Sequence, residues 1–111
     1  MFGLFGKKSP EELKNQTFTT EEGDHYIGGL DVDQPDGFGA YTWADGRVYN
    51  GEWQCNKMHG TGVFTWADGR KYEGQYFDDK KQGHGVFHWP DGRQYQGRFL
   101  NGKQHGKGIY K

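Results

Sequence analysis

Much of what folded, secreted or catalytic chains rely on is scarce or missing here. Cys55 is the only cysteine, so no internal disulfide can form, which fits a reducing compartment. No stretch approaches the roughly 18 apolar residues that a membrane span needs. The start, MFGLFGKK, is too short for a signal-peptide core, and Phe at position 2 lacks the myristoylation pattern. Formal net charge is −1, so no global field attracts nucleic acid or an anionic membrane, and no nucleic-acid partner is expected. No nucleophile–base set and no glycine-rich loop opening a helix is present. His84 and His88 share a strand face, but no cysteine or acidic cluster completes a metal site. The expectation is a chain without catalysis, cofactor or metal. Aliphatic residues are few too: mean hydropathy is −1.11, which taken alone would suggest disorder.

What is abundant argues otherwise. Aromatics make up 17% of the chain, and 20 residues are glycine, so a small aromatic core is the better reading. The words TWADGRVYNGEW, TWADGRKYEGQY and HWPDGRQYQGRF begin at Thr42, Thr65 and His88, a step of 23 residues each time. Such a step is a repeat. One unit opens at Tyr49, then Gly51 and Trp53, a polar loop QCNKMH, and Gly60, Gly62, Phe64 and Trp66. The same order starts at Tyr26, Tyr72 and Tyr95, giving units at 26–48, 49–71, 72–94 and a partial one at 95–111.

The marked residues alternate with a period of two, which predicts strands with one distinctive face. A three-residue loop, Ala67-Asp68-Gly69, predicts a type I turn closed by a glycine bulge. It sets Trp66 against Arg70, Phe64 against Tyr72 and Gly62 against Gly74. Pro90 in the third such loop suits the second position of a type I turn. A two-residue Asp-Gly turn would instead throw Tyr72 to the face opposite Phe64. With the longer loop, fifteen of the nineteen aromatics share a face: Phe18, Tyr26, Tyr41, Trp43, Tyr49, Trp53, Phe64, Trp66, Tyr72, Tyr76, Phe87, Trp89, Tyr95, Phe99 and Tyr110. The interleaved glycines leave room for rings to lie over bare backbone. The other face, with Thr42, Lys71, Glu73, His88 and Gln94 among others, reads as solvated. Residues 16–25 read as a degenerate half-unit capping the stack. Ser9-Pro10-Glu11-Glu12 predicts a short helical turn in an N-terminal extension, residues 1–15.

Tyr-x-Gly-x-aromatic, a polar loop, Gly-x-Gly-x-aromatic and Asp-Gly at this spacing resemble the MORN repeat. NGKQHGKG, Asn101 to Gly108, is similar to that family's most typical phrase. The resemblance implies an all-β fold, an elongated single-layer antiparallel meander of MORN β-hairpin repeats, here about nine strands. Unit one departs from the pattern with DVDQPDG and with Leu30 in place of an aromatic.

A single sheet has no second layer to cover an aromatic face. Each Tyr or Trp buries roughly 150–250 Å² when covered, and apolar surface on that scale usually marks an interface. The expected function is therefore a protein-interaction scaffold holding a partner segment, or a second copy in a homodimer, along a trough. Its candidate lining is Tyr41, Trp43, Tyr49, Trp53, Phe64, Trp66, Tyr72, Tyr76, Phe87, Trp89, Tyr95 and Phe99. Arg47, Arg70 and Arg93 each face a Trp and either stack on it or grip acidic groups of a partner. Phe2, Leu4 and Phe5 form a candidate docking tail. The alternative is peripheral binding to anionic lipid through scattered lysines, which near-neutral charge weakens. The resemblance further implies a cytoplasmic setting in a cytoskeletal or ciliary assembly.

Overall fold

The computed structural model describes residues 16–32 and 34–111. Nine strands form one antiparallel sheet in strict chain order: β1 (Gln16–Thr19), β2 (His25–Asp31), β3 (Gln34–Thr42), β4 (Val48–Gln54), β5 (Lys57–Thr65), β6 (Lys71–Phe77), β7 (Lys80–His88), β8 (Gln94–Leu100) and β9 (Lys103–Tyr110). The body measures 53 × 25 × 20 Å, so the meander is elongated. Among the described residues there is no helix. The helical turn expected near Ser9 lies outside them, as does the candidate tail Phe2, Leu4 and Phe5.

Two kinds of turn alternate along the two long sides. On one side the Asp-Gly loops take the expected three-residue form. The Trp66 N–H donates to the Arg70 carbonyl at 2.9 Å and the Gly69 N–H to the Trp66 carbonyl at 3.0 Å. The turn glycines Gly23, Gly46, Gly69 and Gly92 sit at φ of +95 to +100°, where a side chain is strained. The Thr20–Asp24 loop repeats the same two bonds and joins β1 to β2. Pairing matches the predicted register: Phe64 faces Tyr72 and Gly62 faces Gly74.

The second kind of turn corrects an expectation. QCNKMH is not a six-residue loop. Cys55 and Asn56 alone form the turn, both at positive φ, and β5 starts at Lys57. Asp78-Asp79 and Asn101-Gly102 do the same. Positive φ at both central residues defines the type I′ hairpin turn, whose twist matches that of the strands, and Asn, Asp and Gly tolerate it best. The shorter turn puts Met58 inside the aromatic face, opposite Trp53. Successive I′ turns are tied together. Asn56, Asp79 and Gly102 donate N–H bonds to the carbonyls of Pro35, Met58 and Lys81 at 3.0–3.1 Å, and Lys57 pairs with Asp78 at 2.8 Å.

The glycines make the core possible. A Cβ on Gly39, Gly62, Gly85 or Gly108 would lie 2.0–2.3 Å from an atom of Tyr26, Tyr49, Tyr72 or Tyr95 respectively. Each tyrosine ring thus lies flat over the bare backbone of the next strand. Its hydroxyl donates to the carbonyl three residues on: Tyr26 to Gly29, Tyr49 to Glu52 and Tyr72 to Gln75, at 2.7–3.0 Å. A buried phenol needs such an acceptor.

Candidate interaction site

All fifteen aromatics assigned to one face touch another member of that set. Thirteen of them divide into two rows, with Phe18 and Tyr110 packing on Tyr26 and Tyr95 at the two ends. The inner row runs Tyr26, Trp53, Tyr49, Tyr76, Tyr72, Phe99, Tyr95, with ring planes at 84–90° and centroids 4.9–5.9 Å apart. Every ring in it is buried. The outer row runs Tyr41, Trp43, Phe64, Trp66, Phe87, Trp89 beside the Asp-Gly turns, with planes at 36–50° and centroids 4.5–5.4 Å apart. Phe64 is buried; the other five are half-buried and reach solvent.

The twelve residues expected to line a trough therefore have different fates. Tyr49, Trp53, Phe64, Tyr72, Tyr76, Tyr95 and Phe99 form the core of the molecule. Tyr41 with Trp43, and Trp66 with Phe87 and Trp89, form two half-buried stretches joined through buried Phe64. Edge-to-face packing over bare glycine backbone lets one layer bury half of its own rings, so the uncovered area is smaller than alternation alone suggests. Burial raises the Tyr26 and Tyr72 phenols to about 12 and pushes Tyr49 and Tyr76 higher still. Tyr41 also rises to about 12, first through burial and then through the bond its hydroxyl donates to Asp24 at 2.8 Å.

The arginines are occupied within the fold. Arg47, Arg70 and Arg93 hold their guanidinium carbons 5.0, 5.2 and 5.8 Å from the centroids of Trp43, Trp66 and Trp89. Each also donates from Nε to the aspartate of its own turn, Asp45, Asp68 and Asp91, at 2.7–2.9 Å. Those carboxylates are held below their usual range, first by the arginine backbone N–H. Aspartate, arginine and indole thus form one stacked unit per repeat, and each arginine side chain stays partly exposed.

Sequence reasoning counted Lys81 among the lysines available to a lipid surface but did not place it on the aromatic face. It sits opposite Tyr76, one repeat beyond Met58. Its ammonium lies 5.6 Å from the Trp66 centroid and 5.8 Å from that of Tyr72. The signal was present: a two-residue Asp78-Asp79 turn puts Lys81 on the aromatic face, whereas a longer loop hides it.

The opposite face is less polar than expected. Phe38 is 70% exposed and, with Val48 and Val63, borders a shallow groove of about 710 Å³. A second groove of about 700 Å³ lies between Glu73, Val86 and Ile109. Lys71 and His88 both reach Glu73, at 2.9 and 3.3 Å. Among the described residues no group of His, Cys, Asp and Glu could hold a metal ion.

The model of the MORN repeat matches four segments of the chain, 26–46, 49–69, 72–92 and 95–111. The chain is a MORN-repeat protein. Each matched segment opens on one of the four tyrosines that lie over glycine, and the first three close on a turn glycine. MORN repeats are generally protein- or lipid-binding modules and form a family of binding modules rather than enzymes. No curated protein matches the chain.

Proposed function

We propose that this MORN protein is a non-enzymatic scaffold that holds a segment of a partner protein along the outer aromatic row. The observation that carries the reading is the row of half-buried rings Tyr41, Trp43, Trp66, Phe87 and Trp89, linked at its middle through buried Phe64. Trp, Tyr and Arg are the residues that dominate protein interfaces, because they add large contact area at little entropic cost. Here the stacked arginines and the packed inner row hold the strip ready in advance. Pre-organised side chains lose less freedom on binding. A setting in a cytoskeletal or ciliary assembly of the cytoplasm goes with this reading, and imaging of a tagged chain in ciliated cells tests it.

The surface itself is tested by mutation. Replacing Trp43, Trp66 and Trp89 with Ser should weaken partner capture at least tenfold while the chain stays folded. Lys71→Ala with Glu73→Ala, on the other face, should leave capture unchanged. Equal losses from both variants would reject the outer row. Salt-sensitive sedimentation with anionic liposomes, unaffected by the tryptophan changes, would favour lipid binding instead.

A further inference from the structure

One repeat of the outer row differs in charge from the others. At the position 23 residues apart that holds buried Pro35 and Met58, the third unit has Lys81 and the last has exposed Gln104. Lys81 therefore places a cation where the other units carry Pro35, Met58 or Gln104. Its stem lies opposite Tyr76, and its ammonium emerges over Trp66, the same indole that carries Arg70. Asp68 engages Arg70 through Nε. Among the described residues no carboxylate pairs with Lys81. One positive charge is left over at the middle of the strip, half-buried among rings. Burial and, after it, Arg70 hold the Lys81 ammonium below the ordinary lysine range, and no carboxylate among the described residues relieves it.

A half-buried cation without a counter-charge is costly, and a ligand that neutralises it gains from the same low-dielectric setting. Resting on the outer-row reading, we infer that Lys81 and the partly exposed guanidinium of Arg70, which share Trp66, seat one carboxylate side chain of the partner segment, with its apolar neighbours over Trp66 and Phe87. A single carboxylate fits the single unbalanced charge. A phosphate dianion would overshoot it, and a purely apolar segment would bury the cation unpaired. The partner motif is thus an Asp or Glu flanked by large apolar residues, and unit three is where the partner's register on the strip is set.

Selection of a random octapeptide library that includes phosphoserine, on the intact chain, tests this. The expected pool is enriched in Asp or Glu between apolar residues. Lys81→Met, which installs the residue found at position 58, should cut that acidic enrichment at least fivefold while apolar enrichment persists. Lys81→Arg should retain it. Trp66→Ala should flatten the pool as a whole. Acidic enrichment that survives Lys81→Met would overturn the carboxylate seat but leave the aromatic strip standing. Phosphoserine preferred over Asp and Glu would likewise overturn it. A pool unaffected by Trp66→Ala, or no enrichment at all, would overturn the strip and the seat together.

Discussion

The inner and outer rows are built from the same kinds of residue, yet one is a core and the other a surface. Both lie on the same face of the sheet, the inner rings on β2, β4, β6 and β8 and the outer ones on or just after β3, β5 and β7. What separates them is the backbone beneath. The inner tyrosines lie over Gly39, Gly62, Gly85 and Gly108, close enough that a Cβ would collide. The next ring then meets them edge-on at 84–90°. The outer rings stand beside the turns, lean against each other at 36–50°, and all but Phe64 keep one side open. Aromatic content alone therefore does not tell an interface from an interior; the position of the glycines does.

Changes that remove this difference should have the largest effect. Gly62→Val puts a Cβ 2.2 Å from the Tyr49 hydroxyl and expels the ring. The loss should exceed the roughly 1–3 kcal/mol of ordinary overpacking, seen as no cooperative melt by circular dichroism. Next comes a matched pair. Trp53→Ala in the inner row also removes the bond from its indole N–H to the Gly39 carbonyl at 3.1 Å, and should cost about 3–5 kcal/mol in urea unfolding. Trp66→Ala in the outer row should cost roughly half that, since its ring is only half-buried, while abolishing partner capture. Similar stability losses in the two would erase the distinction drawn here.

Alkaline titration probes the inner row without mutation. Free tyrosine ionises near pH 10, while Tyr26 and Tyr72 are held at about 12 by burial. The folded chain keeps protons that the unfolded chain releases. Stability from these groups is whole below pH 10 and is lost as pH rises toward 12. In a Tyr110→Phe variant, which removes the exposed phenol, most tyrosinate absorbance should therefore appear together with unfolding. Its appearance in a chain still folded would mean the inner row is open to solvent. A smaller effect is expected at the turns, which lie at the end of the outer row. Gly69→Ala, at φ +97°, should cost about 1 kcal/mol. Asp68→Ala should be the mildest change, because its ion pair with Arg70 is solvent-exposed.

Strand identity, the three-residue turns and the shared aromatic face were all legible in the residues. Alternation with a period of two has only one face to assign, and Pro90 could not sit inside a ladder. The I′ turns were less legible. Cys55-Asn56 has no glycine, and a polar run such as QCNKMH reads as loop until backbone pairing shows Lys57, Met58 and His59 within a strand. Met58 and Lys81 were lost from the face for that reason alone.

The order of residues by itself determined the repeat, the register through the Asp-Gly turns and the side on which each ring lies, because these depend on neighbours a few positions apart. Which rings would be buried was decided only by the assembled sheet. A tyrosine covers glycine on the adjoining strand and is itself covered by a ring from the next repeat. Burial is thus set by three strands together, and no window of local sequence contains all of them.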